Sequence, residues 1–451
     1  MLSLPPEEMR RLGYRVVDRI VEHYETVGER PPVTVGDAAE LRAALGGPPP
    51  EAPGDPDKAL DLLLDHALRF VQHGDHPRFF ARIGSPSNFA SVLADTAASG
   101  LNVFAASWTG GSGPATVELV VLDWLRELCG MPEGTEGVLV SGGSVGSLVA
   151  LAAARTARFG DRAPEDAVAY VSSEGHVSIP RALRVLGFGP DQVRTIEAGP
   201  DCRLDPEAVR AAVARDRAPF CLVATAGTTS TGAADPLPEL AAVCREHGLW
   251  LHVDGAYGAP AALCGAVQGL EHADSLVLDP HKWLFQPYEA GCALVREPGL
   301  LERTFGLNAA VLRDTVGGEV DFRDRSVQLS RTSRALKLWL SLRVFGVAGF
   351  RDAIAHGIAL AEHAESVLRS RRGWEVVSPA QLAIVCFRHD GDDARQTAIA
   401  AAMIDDGYAL PSTTEVGGRV ALRLCTMNPR TTFEEIDRTI ERMEAVSRSC
   451  A

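Results

Sequence analysis

Between about residues 88 and 300 the chain repeats one pattern: a short apolar run, a small-residue or polar turn, and a helix-like segment. The apolar runs fall at 137–140, 167–171, 220–224, 249–253, 275–278 and 292–295, with helix-like segments at 117–128, 147–158, 206–214 and 237–246. Runs this short and continuously apolar bury both faces. Strands of that kind interleaved with helices form a mostly parallel α/β sheet. The pattern also says where to look for function, because ligands in open parallel sheets sit beyond the carboxyl ends of the strands.

The flanks differ in character. Met9, Leu12, Val16, Ile20 and Tyr24 share one helical face after Pro5-Pro6. The stretch 46–57 (GGPPPEAPGDPD) is dense in helix breakers and reads as a loop. After a helix near 334–345 come strand-like runs at 375–377 and 382–387, a helix at 393–406, a strand at 420–424 and a last helix at 433–446. That order predicts a small α+β domain. The expected division is therefore an N-terminal helical segment (1–88), a large α/β domain (89–335) and a small C-terminal domain (336–451), within reach of a 451-residue chain.

Composition removes several classes of function. The net charge is −15 and no run of five basic residues occurs, so nucleic acid and anionic membrane are not expected partners. Long apolar stretches are interrupted by charge, as Asp95 interrupts 89–106, and no membrane-spanning helix is expected. The first residues lack the basic-then-apolar order of a signal peptide. Nine cysteines without a C-x-x-C pair read as reduced thiols, which predicts a cytoplasmic protein with no disulfide frame and no zinc ribbon. Of 44 basic residues only Lys58, Lys282 and Lys337 are lysines. Arginine is then the default surface cation, and a lysine in an ordered setting carries more information.

Three strand-end motifs carry chemistry. Ser141-Gly142-Gly143-Ser144-Val145-Gly146-Ser147 links a strand to a helix, and small residues there let backbone N–H groups approach an anion. A plain tight turn has the same signature, and neither a Gly-Lys-Ser/Thr nor a Gly-x-Gly-x-x-Gly is present. Leu251-His252-Val253-Asp254 puts a carboxylate at a strand end, where a helix cap is the plainer role. Leu278-Asp279-Pro280-His281-Lys282-Trp283 puts a lysine after the next strand. An apolar setting would lower its pKa and make it an amine nucleophile; a surface lysine is the alternative. An anion cup, a buried carboxylate and a lysine together match the needs of pyridoxal 5′-phosphate. The lysine holds it as a Schiff base, the cup holds its phosphate, and the carboxylate keeps its ring nitrogen protonated.

Read in order, HPRFF (76–80), the 141–147 loop, SSEGH (172–176), ATAGTT (224–229), HVDGAYG (252–258), DPHKW (279–283) and RALKLW (334–339) resemble the group II pyridoxal-phosphate-dependent decarboxylases. These are relatives of the aromatic-L-amino-acid, glutamate and histidine decarboxylases, and the resemblance covers nearly the whole chain. It implies a fold-type I enzyme, with a mostly parallel mixed sheet in the large domain, that α-decarboxylates an L-amino acid to the amine and carbon dioxide. It makes Lys282 the Schiff-base lysine and Asp254 the partner of the pyridine nitrogen. His176 is implied on one ring face near the substrate carboxylate, Ala256 on the other, and Thr229 beside the ring hydroxyl. Gly143, Ser144, Asp279 and His281 are implied around the phosphate, with no metal. A homodimer with sites at its interface is implied too, the N-terminal segment embracing the partner.

Two departures stand out. Related decarboxylases carry a loop tyrosine that protonates the α-carbon. Val311 falls at that position here, and no tyrosine occurs between Tyr288 and Tyr408. In related aldehyde synthases, loss of that tyrosine diverts the reaction to oxygen, giving aldehyde, ammonia and peroxide. That is the alternative outcome here, unless His176 or water supplies the proton. The substrate region also has fewer ring walls, with Gly74, Arg82, Ile83 and Ala106 at usually aromatic positions, while Phe79, Phe80, Phe104 and Trp108 remain. Arg82, Phe104 and Val311 are thus candidate substrate residues, Arg82 as a bidentate partner for an acidic side chain. A non-catalytic ligand sensor on the same fold would need a basic DNA-binding module, for which there is neither length nor charge. A nicotinamide enzyme would need the missing glycine fingerprint.

Overall fold

The computed structural model describes residues 2–307 and 319–450. Seven strands form the main sheet: β1 (Glu136–Val140), β2 (Ala167–Ser172), β3 (Val193–Ile196), β4 (Ala218–Thr225), β5 (Trp250–Asp254), β6 (Ser275–Leu278) and β7 (Gly291–Val295). Their spatial order is β1-β7-β6-β5-β4-β2-β3. The pairs β2–β3, β2–β4, β4–β5 and β5–β6 are parallel, and β7 runs antiparallel to both β6 and β1. The sheet is therefore mixed but mostly parallel. Strands β2, β6 and β7 are buried along their whole length, which is why they read as unbroken apolar runs. Register places Thr225 beside Asp254 and Asp254 beside Val277, so β4, β5 and β6 end at one level.

The helix Gly143–Phe159 leaves β1 directly, with Gly142 in extended backbone and no side-chain cap on the first turn. Its leading N–H groups are left for a ligand or water. Behind it, Glu118 and Arg331 form an ion pair at 2.8 Å with both side chains wholly buried. Glu118 accepts from the Leu139 N–H, and Arg331 donates to the Leu139 carbonyl. The pair thus ties β1 to two distant segments.

The helix Ala335–Ser370 runs from the large domain into the small one and is broken at Gly346, where φ is 65°. It starts inside the expected boundary at 335 and continues well beyond 345. By length and composition alone it is long and apolar enough to cross a membrane. Here it packs on the helix Phe89–Gly100 and on the second sheet. That sheet is antiparallel, with β8 (Trp374–Gln381), β9 (Ile384–His389), β10 (Ser412–Val416) and β11 (Arg419–Cys425) in the order β10-β11-β9-β8. Helices Asp393–Asp406 and Phe433–Ser447 cover it, the second started by a Thr432/Glu435 capping box.

Sequence grouped residues 76–82 with the N-terminal segment, and the structure weaves them into the small domain. Phe80 is wholly buried in the core there, its N–H donates to the Leu410 carbonyl, and Arg78 Nε donates to the Tyr408 carbonyl. The N-terminal helix Pro6–Thr26, by contrast, buries none of its residues in the single chain. His23 Nε2, 2.7 Å from Asp75, fastens it to the following loop.

Candidate active site

The turns after β1, β2, β4, β5 and β6 converge on one cleft of about 350 Å³. Gly143, Ser144, His176, Thr229, Asp254, Ala256, Asp279, His281 and Lys282 all border it, so nine residues singled out from sequence are brought together. Each stands at or just past a strand's carboxyl end, as the sheet rule requires.

Lys282 Nζ lies 3.0 Å from Asp279 Oδ2, and Asp279 is 2% exposed. Burial alone would draw the lysine pKa down, as the sequence reading expected. Asp279 and Asp254 both act on the ammonium, and their combined attraction outweighs desolvation, so the net shift is upward. The expectation of a lowered pKa is corrected by this pair of carboxylates.

Asp279 Oδ1 is buried with no hydrogen-bond partner among the described residues. Asp279 Oδ2 faces Lys282 and lies beside Gly143, so this carboxylate adjoins both the lysine and the turn implied around the phosphate. His281 Nδ1 accepts from the Ala290 N–H, and burial lowers the pKa of this imidazole. Its backbone carbonyl accepts from Ser85 Oγ at 2.5 Å. Asp254 is 6% exposed and accepts from the Ala256 N–H. His176 Nδ1 is 2.8 Å from Ser178 Oγ and accepts from the Ser178 N–H, and desolvation draws its pKa down.

These residues fit pyridoxal phosphate. A Cβ on Gly143 would stand 3.0 Å from Asp279 Oδ2 and 3.1 Å from Ala256 Cβ, and one on Gly142 would stand 3.1 Å from His281 Cε1. Backbone therefore reaches the cleft where a side chain would crowd it. The donor set is an uncapped helix start for an anion, a buried carboxylate for a ring N–H, and one amine.

Two of the three substrate candidates border other clefts. Arg82 is exposed and borders an adjoining cleft that shares only Thr229 with this one. Its positive φ of 52° and the Ser412 contact of its N–H aim the residue along the second sheet. Phe104, 43% exposed, borders a third cleft that shares Glu289. Val311 lies outside the described residues. Sequence reasoning missed Ser178, Ser85 and Glu289. It also missed the support that Trp283, wholly buried, gives by stacking on Tyr257 at 4.8 Å. Trp283 stands inside the DPHKW motif, which was the available signal.

Comparison with known proteins agrees with this geometry. The model of the pyridoxal-dependent decarboxylase conserved domain matches residues 43–390. An aromatic-L-amino-acid decarboxylase of Bacillus atrophaeus is 43% identical, over 99% of this chain and 97% of its own length. A phenylacetaldehyde synthase of Petunia hybrida is 33% identical, over 85% of this chain and 80% of its own. Among solved structures, tryptophan decarboxylase of Catharanthus roseus in complex with L-tryptophan superposes with a TM-score of 0.91 at 28% identity, covering all of both chains. The chain belongs to the pyridoxal-dependent decarboxylase family, and it is a pyridoxal-phosphate-dependent amino acid decarboxylase.

Proposed function

We propose that the protein converts an aromatic L-amino acid to its amine and carbon dioxide, with Lys282 as the residue that carries the cofactor. The observation carrying this is the placement of Lys282 between Asp279 and Asp254 at the ends of β6 and β5. The bound cofactor supplies an electron sink for the bond broken at the α-carbon. Asp254 would hold a proton on its ring nitrogen, the 141–147 turn would bind its phosphate, and Ala256 and His176 would pack against its ring. Asp279, 3.0 Å from Lys282 Nζ, would orient the lysine. The aromatic class is supported by the 43% identical Bacillus relative. The substrate amine would take the place of Lys282 on the cofactor, whose electron sink would accept the bond pair as carbon dioxide departs, and the α-carbon would then take up a proton.

The protein acts as a cytoplasmic homodimer in this reading. The exposed apolar residues Met9, Tyr14, Val17 and Val21 on the N-terminal helix, with nothing of the same chain burying them, support a second copy there. A second reading, decarboxylation coupled to oxygen consumption, is favoured by one observation, the lack of any tyrosine between Tyr288 and Tyr408. Incubating the loaded enzyme with pooled L-amino acids, while following products by mass spectrometry and oxygen by electrode, separates the two. An aromatic amine with no oxygen uptake is the expected result. Aldehyde with matched oxygen loss establishes the second reading, and turnover confined to non-aromatic substrates overturns the assigned class.

A further inference from the structure

We propose that Ser178 is a positioning residue whose hydroxyl lets the His176 ring pass between its neutral and charged forms without losing its partner. The inference rests on the decarboxylase reading and adds a residue to its proton chemistry. Ser178 is 4% exposed, borders the cleft, and opens the helix Ser178–Val185. Its N–H donates to His176 Nδ1 at 3.2 Å, and its Oγ lies 2.8 Å from the same nitrogen.

A backbone N–H can only donate. The neutral ring that accepts from it therefore carries its proton on Nε2, the other nitrogen. The charged ring has a proton on Nδ1 as well, which needs an acceptor. The Ser178 amide cannot serve; the hydroxyl can, by rotating its own hydrogen away. One side chain thus satisfies both states, while the amide favours only the neutral one.

The surrounding charges make that balance matter. Desolvation and the cations Lys282 and Arg181 oppose the charged ring, while Asp254 and Asp279 favour it. The electron pair left when carbon dioxide departs has to be met by a proton at the α-carbon. A charged His176 gives its Nε2 proton to that carbon and becomes neutral, its remaining Nδ1 proton accepted by Ser178 Oγ. Solvent then restores the lost proton. In a chain with no tyrosine between Tyr288 and Tyr408, this ring is a donor already at the cleft.

The test compares Ser178→Ala and Ser178→Thr with the native protein, first without cofactor. The pH dependence of diethylpyrocarbonate modification at His176, read by peptide mass spectrometry, reports the ring's titration. Ser178→Ala keeps the amide donor but removes the acceptor for the charged ring, so the midpoint falls by about one pH unit. Ser178→Thr retains the native midpoint. In the loaded enzyme, Ser178→Ala lowers kcat about tenfold with KM unchanged, and oxygen uptake per carbon dioxide rises. An unshifted midpoint in Ser178→Ala, or an equal shift in Ser178→Thr, overturns the proposal. Failure of the native enzyme to decarboxylate would instead sink the decarboxylase reading, and the titration would still judge Ser178 separately.

Discussion

Replacing Lys282 by Ala removes the only amine bordering the cleft of the described residues. Decarboxylation should fall by about a thousandfold or more, with loss of the visible absorption of the loaded protein. Unchanged colour and turnover would contradict the assignment. Asp254→Ala removes the carboxylate proposed to pair with the cofactor's ring nitrogen. Cofactor affinity should drop by about ten- to a hundredfold, measured by equilibrium titration, while the melting temperature changes little. A stability loss without an affinity loss would make Asp254 a structural cap. His252, wholly buried beside this carboxylate, has its pKa drawn down to about 4 by burial. The unfolded chain takes up its proton near pH 6.5, so His252 supports the fold fully above that pH and this support is lost as pH falls toward 4. The loss amounts to about 3 kcal/mol. Urea midpoints at pH 7.5 and 4.5 should differ less in His252→Asn than in the native protein. At this scale Lys282, Asp254 and His281 were legible because motif and strand end coincide. Ser178 was not, because a serine two residues after a histidine is common and only the folded turn brings its Oγ to Nδ1.

At the scale of elements, β7 begins where the 141–147 turn passes over it. A Cβ on Gly291 would stand 2.5 Å from Gly142 Cα, with only backbone to yield. Gly291→Ala should cost about 1–3 kcal/mol and weaken cofactor binding together, measured by thermal denaturation and titration. Unchanged affinity would separate the turn from the cofactor. The buried Glu118–Arg331 pair holds the other side of β1. Glu118→Ala leaves a buried guanidinium unpaired and should destabilise by about 3–5 kcal/mol in urea unfolding. Legibility followed burial here too. The six apolar runs became strands because both their faces are covered. β3 and β10 went unread because each is a short outer strand with polar residues facing solvent, as at Arg194, Thr195, Thr413 and Glu415. The helix Phe89–Gly100, rich in alanine and serine, gave little periodic contrast.

For the whole molecule, the change of pattern after residue 335 precedes the second, antiparallel sheet, while the ties between distant segments left no such mark. Sequence counted Phe79 and Phe80 among the ring walls of the substrate region, and the fold packs them with Leu410 and β11. The exposed face of the N-terminal helix likewise awaits a second copy in the proposed dimer. The central claim, that Lys282 anchors the cofactor, is tested most directly by reducing the cofactor-loaded protein with borohydride and mapping the modified peptide by mass spectrometry. With three lysines in the chain the answer is discrete. A phosphopyridoxyl group on Lys282 alone is expected; its appearance on Lys58 or Lys337, or on no lysine, would contradict the assignment of Lys282.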